Sequence, residues 1–173
     1  MHASYQVRFA EKNNIPCVVL VRDPIDSITS SILRNNLNKP ENLFKMYKSF
    51  YSEVINVHKK SIIVEFKDCI NDPNIIIRKL NKEYQTQYKF YNSGQHKALI
   101  EKEVDFRDSQ ASSVTTIIGD KDMLLSKPTS NKKIHSKAVK SKLREDFPVQ
   151  CAEVISIYNK VISKIKDERD IAK

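Results

Sequence analysis

Arg22, Ser27 and Ser30 are the residues of this 173-residue chain whose types and spacing best suit anion binding. Arg22 closes an uninterrupted apolar run, Cys17-Val18-Val19-Leu20-Val21, and Asp23-Pro24-Ile25-Asp26-Ser27-Ile28-Thr29-Ser30-Ser31 follows it. An arginine presents a planar fork of N–H donors that matches two phosphate oxygens. A helix starting just beyond it adds backbone N–H groups that have no partner inside the helix. Ser27 and Ser30 are three apart, so they share a helix face and a hydroxyl can join the arginine. The same residues also fit an arrangement without a ligand. In it Arg22 pairs with Asp26, and the serines bond back to the preceding turn. The residues alone leave both arrangements open.

These groups need elements to position them. The β-branched run 17–21, bounded by Asn13-Asn14-Ile15-Pro16 and Arg22-Asp23-Pro24, predicts a strand buried on both faces, as in a parallel sheet. Asp23 suits an N-cap and Pro24 the first helical position, which predicts a helix from Pro24 to about Leu33, ended by Asn35-Asn36 and Pro40. Residues 41–60 place Leu43, Met46, Tyr47, Phe50, Tyr51, Val54 and Val57 at helical spacing, the pattern of a core-facing stripe. Residues 61–66 read as a second strand, and Asp72-Pro73 repeats the helix-start signal for a helix to about Tyr84. A short helix and turn in residues 1–16 and a short strand over Gln87–Tyr91 complete this part. Residues 92–126 are polar and weakly periodic, and read as a loop-rich acceptor region or as disorder. Two helices, about 131–146 and 148–166, finish the chain, the second with Ala152, Ile155, Tyr158, Ile162 and Ile165 facing inward. Strands alternating with helices predict an α/β fold, one domain over 1–173 with a parallel sheet flanked by helices and a helical C-terminal portion. In such sheets ligands gather at the carboxyl ends of the strands, where Arg22 stands.

Composition narrows the chemistry. The chain has two glycines, Gly94 and Gly119, where average usage would give about 12. No Walker A or Rossmann phosphate loop can be written in these 173 residues, since each needs two or three glycines at fixed spacing. The formal charge of +9 is uneven: +4 over 1–60, −1 over 61–126 and +6 over 127–173. That balance favours an anionic partner (nucleotide, phosphate, nucleic acid or sulfated polymer), although lysines also simply solvate a surface. Lys127, Lys132, Lys133, Lys137, Lys140, Lys142 and Arg144 form a basic stretch with no acid before Glu145. No aromatic residue interleaves with it, which argues against base stacking and hence against nucleic acid. Cys17, Cys69 and Cys151 lie far apart and the four histidines are scattered, so neither a disulfide framework nor a metal-ligand spacing emerges. No apolar run reaches the roughly 18 residues of a membrane span, and the expectation is a soluble, cytoplasmic protein.

The strand, the Arg-Asp-Pro and the serine eight residues after the arginine resemble the 3′-phosphate motif of sulfotransferases that use 3′-phosphoadenosine 5′-phosphosulfate (PAPS). The stretch Ile62–Phe66, Lys67-Asp68 and Asp72-Pro73 is similar to that family's Y-E-D-L…D-P segment. The resemblance covers residues 2 to about 84 and implies a P-loop-NTPase-like fold. It also implies transfer of a sulfuryl group from PAPS to a hydroxyl or amine acceptor. Arg22 and Ser30 would then hold the 3′-phosphate, with Ser27 beside them and Lys132 or Lys133 closing over the nucleotide. His2, 20 residues before Arg22, stands where the family's general base would be, but no lysine accompanies it and the family's phosphosulfate loop has no counterpart here. The expectation is therefore a member lacking its N-terminal portion and impaired in turnover. The competing expectations are a non-catalytic basic module that binds nucleic acid or a sulfated polymer, and an inactive fragment with an open strand edge.

Overall fold

Val18–Val21 (β1) and Ile62–Glu65 (β2) pair as parallel strands in the register Val18↔Ile62 through Val21↔Glu65. Parallel strands cannot be joined by a tight turn, and the crossover here is helical: Pro24–Asn35 (α2) and Pro40–Val57 (α3). Ser4–Lys12 (α1) precedes β1; Phe66–Asn71 (α4), Asn74–Glu83 (α5), Ser93–Val114 (α6), Ser130–Asp146 (α7) and Pro148–Ile171 (α8) follow β2. The structure is a computed structural model and describes residues 4–35, 39–57, 61–114 and 130–171. The fold is α/β in class, with helices predominating over a two-stranded parallel sheet.

Both Asp-Pro pairs start helices as their chemistry dictates. Asp23 Oδ1 accepts the Asp26 N–H at 2.9 Å, and Asp72 Oδ1 accepts the Asn74 N–H at 3.1 Å. Each carboxylate satisfies a backbone donor that the first turn leaves without an intrahelical partner. Arg78 pairs with Asp72 and holds its carboxyl below the ordinary carboxylate range. The second Asp-Pro is preceded by a short helix, α4, which takes up Phe66, the last residue expected in the strand.

The core lies where α3 packs against α8, α1 and α2, over the inner side chains of the sheet. From α3 it takes Leu43, Phe44, Tyr47, Tyr51 and Val54; Met46 is exposed instead. On α8 the expected stripe holds in part, with Ile165 buried and Tyr158 and Ile162 packed against the core. Cys151, Val154, Ile157, Val161 and Ile165 are buried, while Ala152 and Ile155 are exposed. Both stripes are apolar along that helix, and the fit against α3 decides between them.

β1 is not buried on both faces. Val19 and Val21 point into the core, whereas Leu20 is 44% exposed. With two strands in the sheet, β1 is an edge, and its outer side meets a hollow of about 330 Å³ rather than another strand. Two of its outward carbonyls are nonetheless satisfied. Ile62 donates to the Cys17 carbonyl at 2.9 Å, so alternate carbonyls, those of Leu20 and Arg22, face away from β2. Tyr51 Oη donates to Leu20 O at 2.8 Å and Tyr47 Oη to Arg22 O at 2.9 Å. The spacings agree: four helical residues rise about 6 Å and two strand residues about 6.6 Å. The open edge expected from sequence is thus capped at its carboxyl end by side chains of α3.

Gln87–Tyr91 forms no strand, although its backbone is held much as one would be. Asn74 and Asn81 lie seven apart on one face of α5. The Asn74 side chain donates to Tyr91 O and accepts from Tyr91 N; Asn81 does the same with Tyr88. Two carboxamides thus replace a partner strand. In the stretch read as loop-rich, residues 93–114 form α6, whose Leu99, Ile100 and Phe106 are exposed; residues 115–126 lie outside those described.

Burial pushes the Tyr51 hydroxyl up to about 12 and moves Tyr47 upward as well, with Tyr51 and Asp23 adding to the effect on Tyr47. The unfolded chain releases these protons near pH 10.0 while the fold retains them. Their stabilisation is therefore complete below about pH 10 and falls as pH rises from there through about 12. Urea unfolding at stepped alkaline pH will show this decline, and the Tyr47→Phe/Tyr51→Phe variant will show a shallower one. At neutral pH each single Phe substitution lowers stability by about 1 kcal/mol.

Candidate anion-binding cleft

α2 begins at the end of β1, so Arg22 sits between a strand terminus and a helix start. Tyr47 holds the Arg22 carbonyl, and the guanidinium carbon lies 5.0 Å from the centroid of the Phe66 ring at the start of α4. At that distance the cation is attracted to the ring face, which helps to position the guanidinium. Among the described residues no carboxylate pairs with Arg22. Asp26, the partner that the ligand-free arrangement required, pairs with Lys140 of α7 at 2.5 Å.

α2 packs against α7, and a cleft of about 450 Å³ opens between them. Arg22, Asp26, Ser30 and Leu33 line one wall; Lys133, Ser136, Lys137 and Lys140 line the other. Four cations and two hydroxyls face a single carboxylate, an arrangement that attracts phosphate or sulfate groups. No carboxylate among the described residues pairs with Lys133 or Lys137, so these cations remain available to an anion.

Of the residues singled out from sequence, the structure brings Arg22, Ser30 and Lys133 together. Ser27 opens instead into the hollow beside β1, with Cys17, Val18, Leu20 and Phe50. Three residues turn a helix by about 300°, so Ser27 and Ser30 point about 60° apart, and here they open into different hollows. His2 lies outside the described residues, and of Lys132 only the backbone, within α7, is described. From sequence, Ser136 does not stand out, and Lys137 and Lys140 fall only in a general basic stretch, not beside Arg22. Their signal was present: 133, 136, 137 and 140 share one face of a helix.

At the end of β2, Glu65 is buried and accepts hydrogen bonds on one oxygen from Tyr158 Oη at 2.6 Å and Lys67 Nζ at 2.9 Å. Burial and then the bond to Glu65 raise the Tyr158 hydroxyl, so it stays a neutral donor. This contact ties α8 to the same sheet end that carries Arg22. Among the described residues no group of His, Cys, Asp and Glu is placed to hold a metal ion, and no helix is long and apolar enough to cross a membrane.

No protein-family model, no curated protein and no solved structure matches this chain.

Thr29 tests the orientation of α2. It is 1% exposed, among the core residues Ile25 and Ile28, and its hydroxyl has no hydrogen-bond partner among the described residues. An unpaired buried hydroxyl opposes folding. Thr29→Val is expected to raise stability by about 1 kcal/mol in urea unfolding. A loss of similar size would mean that the hydroxyl is satisfied and that α2 is turned differently.

Proposed function

We propose that the cleft between α2 and α7 is the 3′-phosphate site of a PAPS-dependent sulfotransferase domain. The parallel strands would then belong to a P-loop-NTPase-like sheet, and the protein would work on a cytoplasmic nucleotide. The observation that supports this most is the convergence of Arg22 and Ser30, eight residues apart, with Lys133 on one cleft at the carboxyl end of a parallel strand. The chemistry of the donor set fits a phosphate monoester. The Arg22 fork, beside the Phe66 ring, and the Ser30 hydroxyl would hold the phosphate oxygens, and Lys133 and Lys137 would add point charges.

PAPS, when bound, supplies the sulfuryl group that passes to a hydroxyl or amine acceptor. The residues of this chain act at the nucleotide end remote from transfer, where binding energy orients the donor. His2, the candidate base by resemblance, lies outside the described residues. These 173 residues contain no glycine-rich loop, so no motif in them stabilises charge at the transferred group. The expected behaviour is nucleotide binding with little turnover.

A second reading draws on Lys133, Lys137 and Lys140 sharing one face of α7. There the helix binds a polyanion and performs no chemistry. A gel shift that survives Arg22→Ala but disappears when Lys132, Lys133 and Lys137 are neutralised would favour it.

The deciding measurement is calorimetric titration with adenosine 3′,5′-bisphosphate. The wild-type chain is expected to bind it, and Arg22→Ala to bind about thirtyfold more weakly or worse. Adenosine 5′-monophosphate, which lacks the 3′ group, should bind no better than it does to Arg22→Ala. Equal binding of the bisphosphate by both proteins would overturn the site, and robust sulfation by the chain alone would overturn the expected lack of turnover.

A further inference from the structure

We propose that Asp26 is a tethered resident anion of this cleft: it occupies Lys140 in place of a ligand's charged group, and so sets how strongly the cleft binds phosphate. The inference rests on reading the cleft as an anion site. It adds a residue that works against binding rather than for it.

Asp26 is the one carboxylate in a lining that otherwise carries Arg22, Lys133, Lys137 and Lys140. Its oxygen lies 2.5 Å from Lys140 Nζ, and each side chain is only about a third exposed, so solvent screens the pair incompletely. The carboxylate cannot drift away. Its backbone N–H is bonded to Asp23 Oδ1, which fixes Asp26 in the first turn of α2. Negative charge is favoured in that turn by the helix dipole. Ser30, one turn further on, faces the same cleft. The aspartate thus stands where an incoming anion would be most at home, and it is covalently present at all times.

Two consequences follow from charge alone. An anion that reaches Arg22 and Ser30 meets repulsion from Asp26, which grows with each negative charge the anion carries. Lys140, on its long flexible stem, is withdrawn from the ligand while Asp26 holds it. The cleft therefore binds its ligand more weakly than its lysines would suggest, which favours release of a highly charged product over its retention.

The test is calorimetric titration of the full chain with adenosine 3′,5′-bisphosphate, using wild type, Asp26→Asn, Lys140→Met and the double variant, with circular dichroism to check folding. Asp26→Asn should bind about tenfold more tightly and Lys140→Met more weakly, and the double variant, with the net charge of the cleft restored, should return close to wild type. The gain in Asp26→Asn should shrink as salt is added, a response that a merely structural role for Asp26 would not produce. Asp26→Ser serves as a second neutral replacement. Arg22-dependent binding that is unchanged or weakened in both Asp26→Asn and Asp26→Ser would overturn the inference and leave the site standing. Failure of wild type and Asp26→Asn alike to bind the bisphosphate would overturn both.

Discussion

Two tyrosine hydroxyls hold this fold to its two-stranded sheet. A two-stranded parallel sheet has no interior strand, so the backbone groups on its outer edges need partners from elsewhere. Tyr47 and Tyr51 provide them at the Leu20 and Arg22 carbonyls, and the same two rings are buried in the core. One contact therefore does three things: it satisfies the edge, docks α3, and fixes the backbone of the residue whose side chain enters the cleft. The match between a helical turn and two strand residues makes this possible, and neither tyrosine could move one position along α3 and keep both bonds.

The cleft inherits its geometry from that anchorage. Arg22 leaves a strand end held by α3, lies over a ring at the end of the neighbouring strand, and meets lysines from a helix near the far end of the chain. Glu65, bonded to Tyr158 and Lys67, fastens α8 to the same sheet end. Arg22 thus stands at a sheet end held by hydrogen bonds from α3 and α8, and the lysines stand on a helix, which limits the entropy lost when an anion is bound.

What could be read from sequence was whatever local chemistry decides. The two strands follow from β-branched apolar runs, and both Asp-Pro helix starts follow from a carboxylate that caps its own first turn. The candidate arginine follows from its place after a strand. What could not be read depends on distant partners. Leu20 is exposed because the sheet stops at two strands, which nothing in its own run determines. Asp26 finds Lys140 and not Arg22, because α7 lies against α2. The buried face of α8 falls on Val154 and Val161 and not on Ala152 and Ile155, because α3 accepts one stripe and not the other. Gln87–Tyr91 looks like a strand and is held like one, yet its partners are side chains, which no pattern of alternation reveals.

That last segment has a consequence for how the chain can change. Asn74 and Asn81 hold Tyr91 and Tyr88 only while they stand seven positions apart on unbroken helix. Apart from Arg78, the partner of Asp72, the identity of the exposed residues between them is nearly free, but their number is not. Adding or removing a single residue there would turn Asn81 by about 100° and carry it off the shared face. One end of the segment would be released while the other stayed bound. Length in α5 is therefore under tighter constraint than composition, the reverse of what holds for most surface helices.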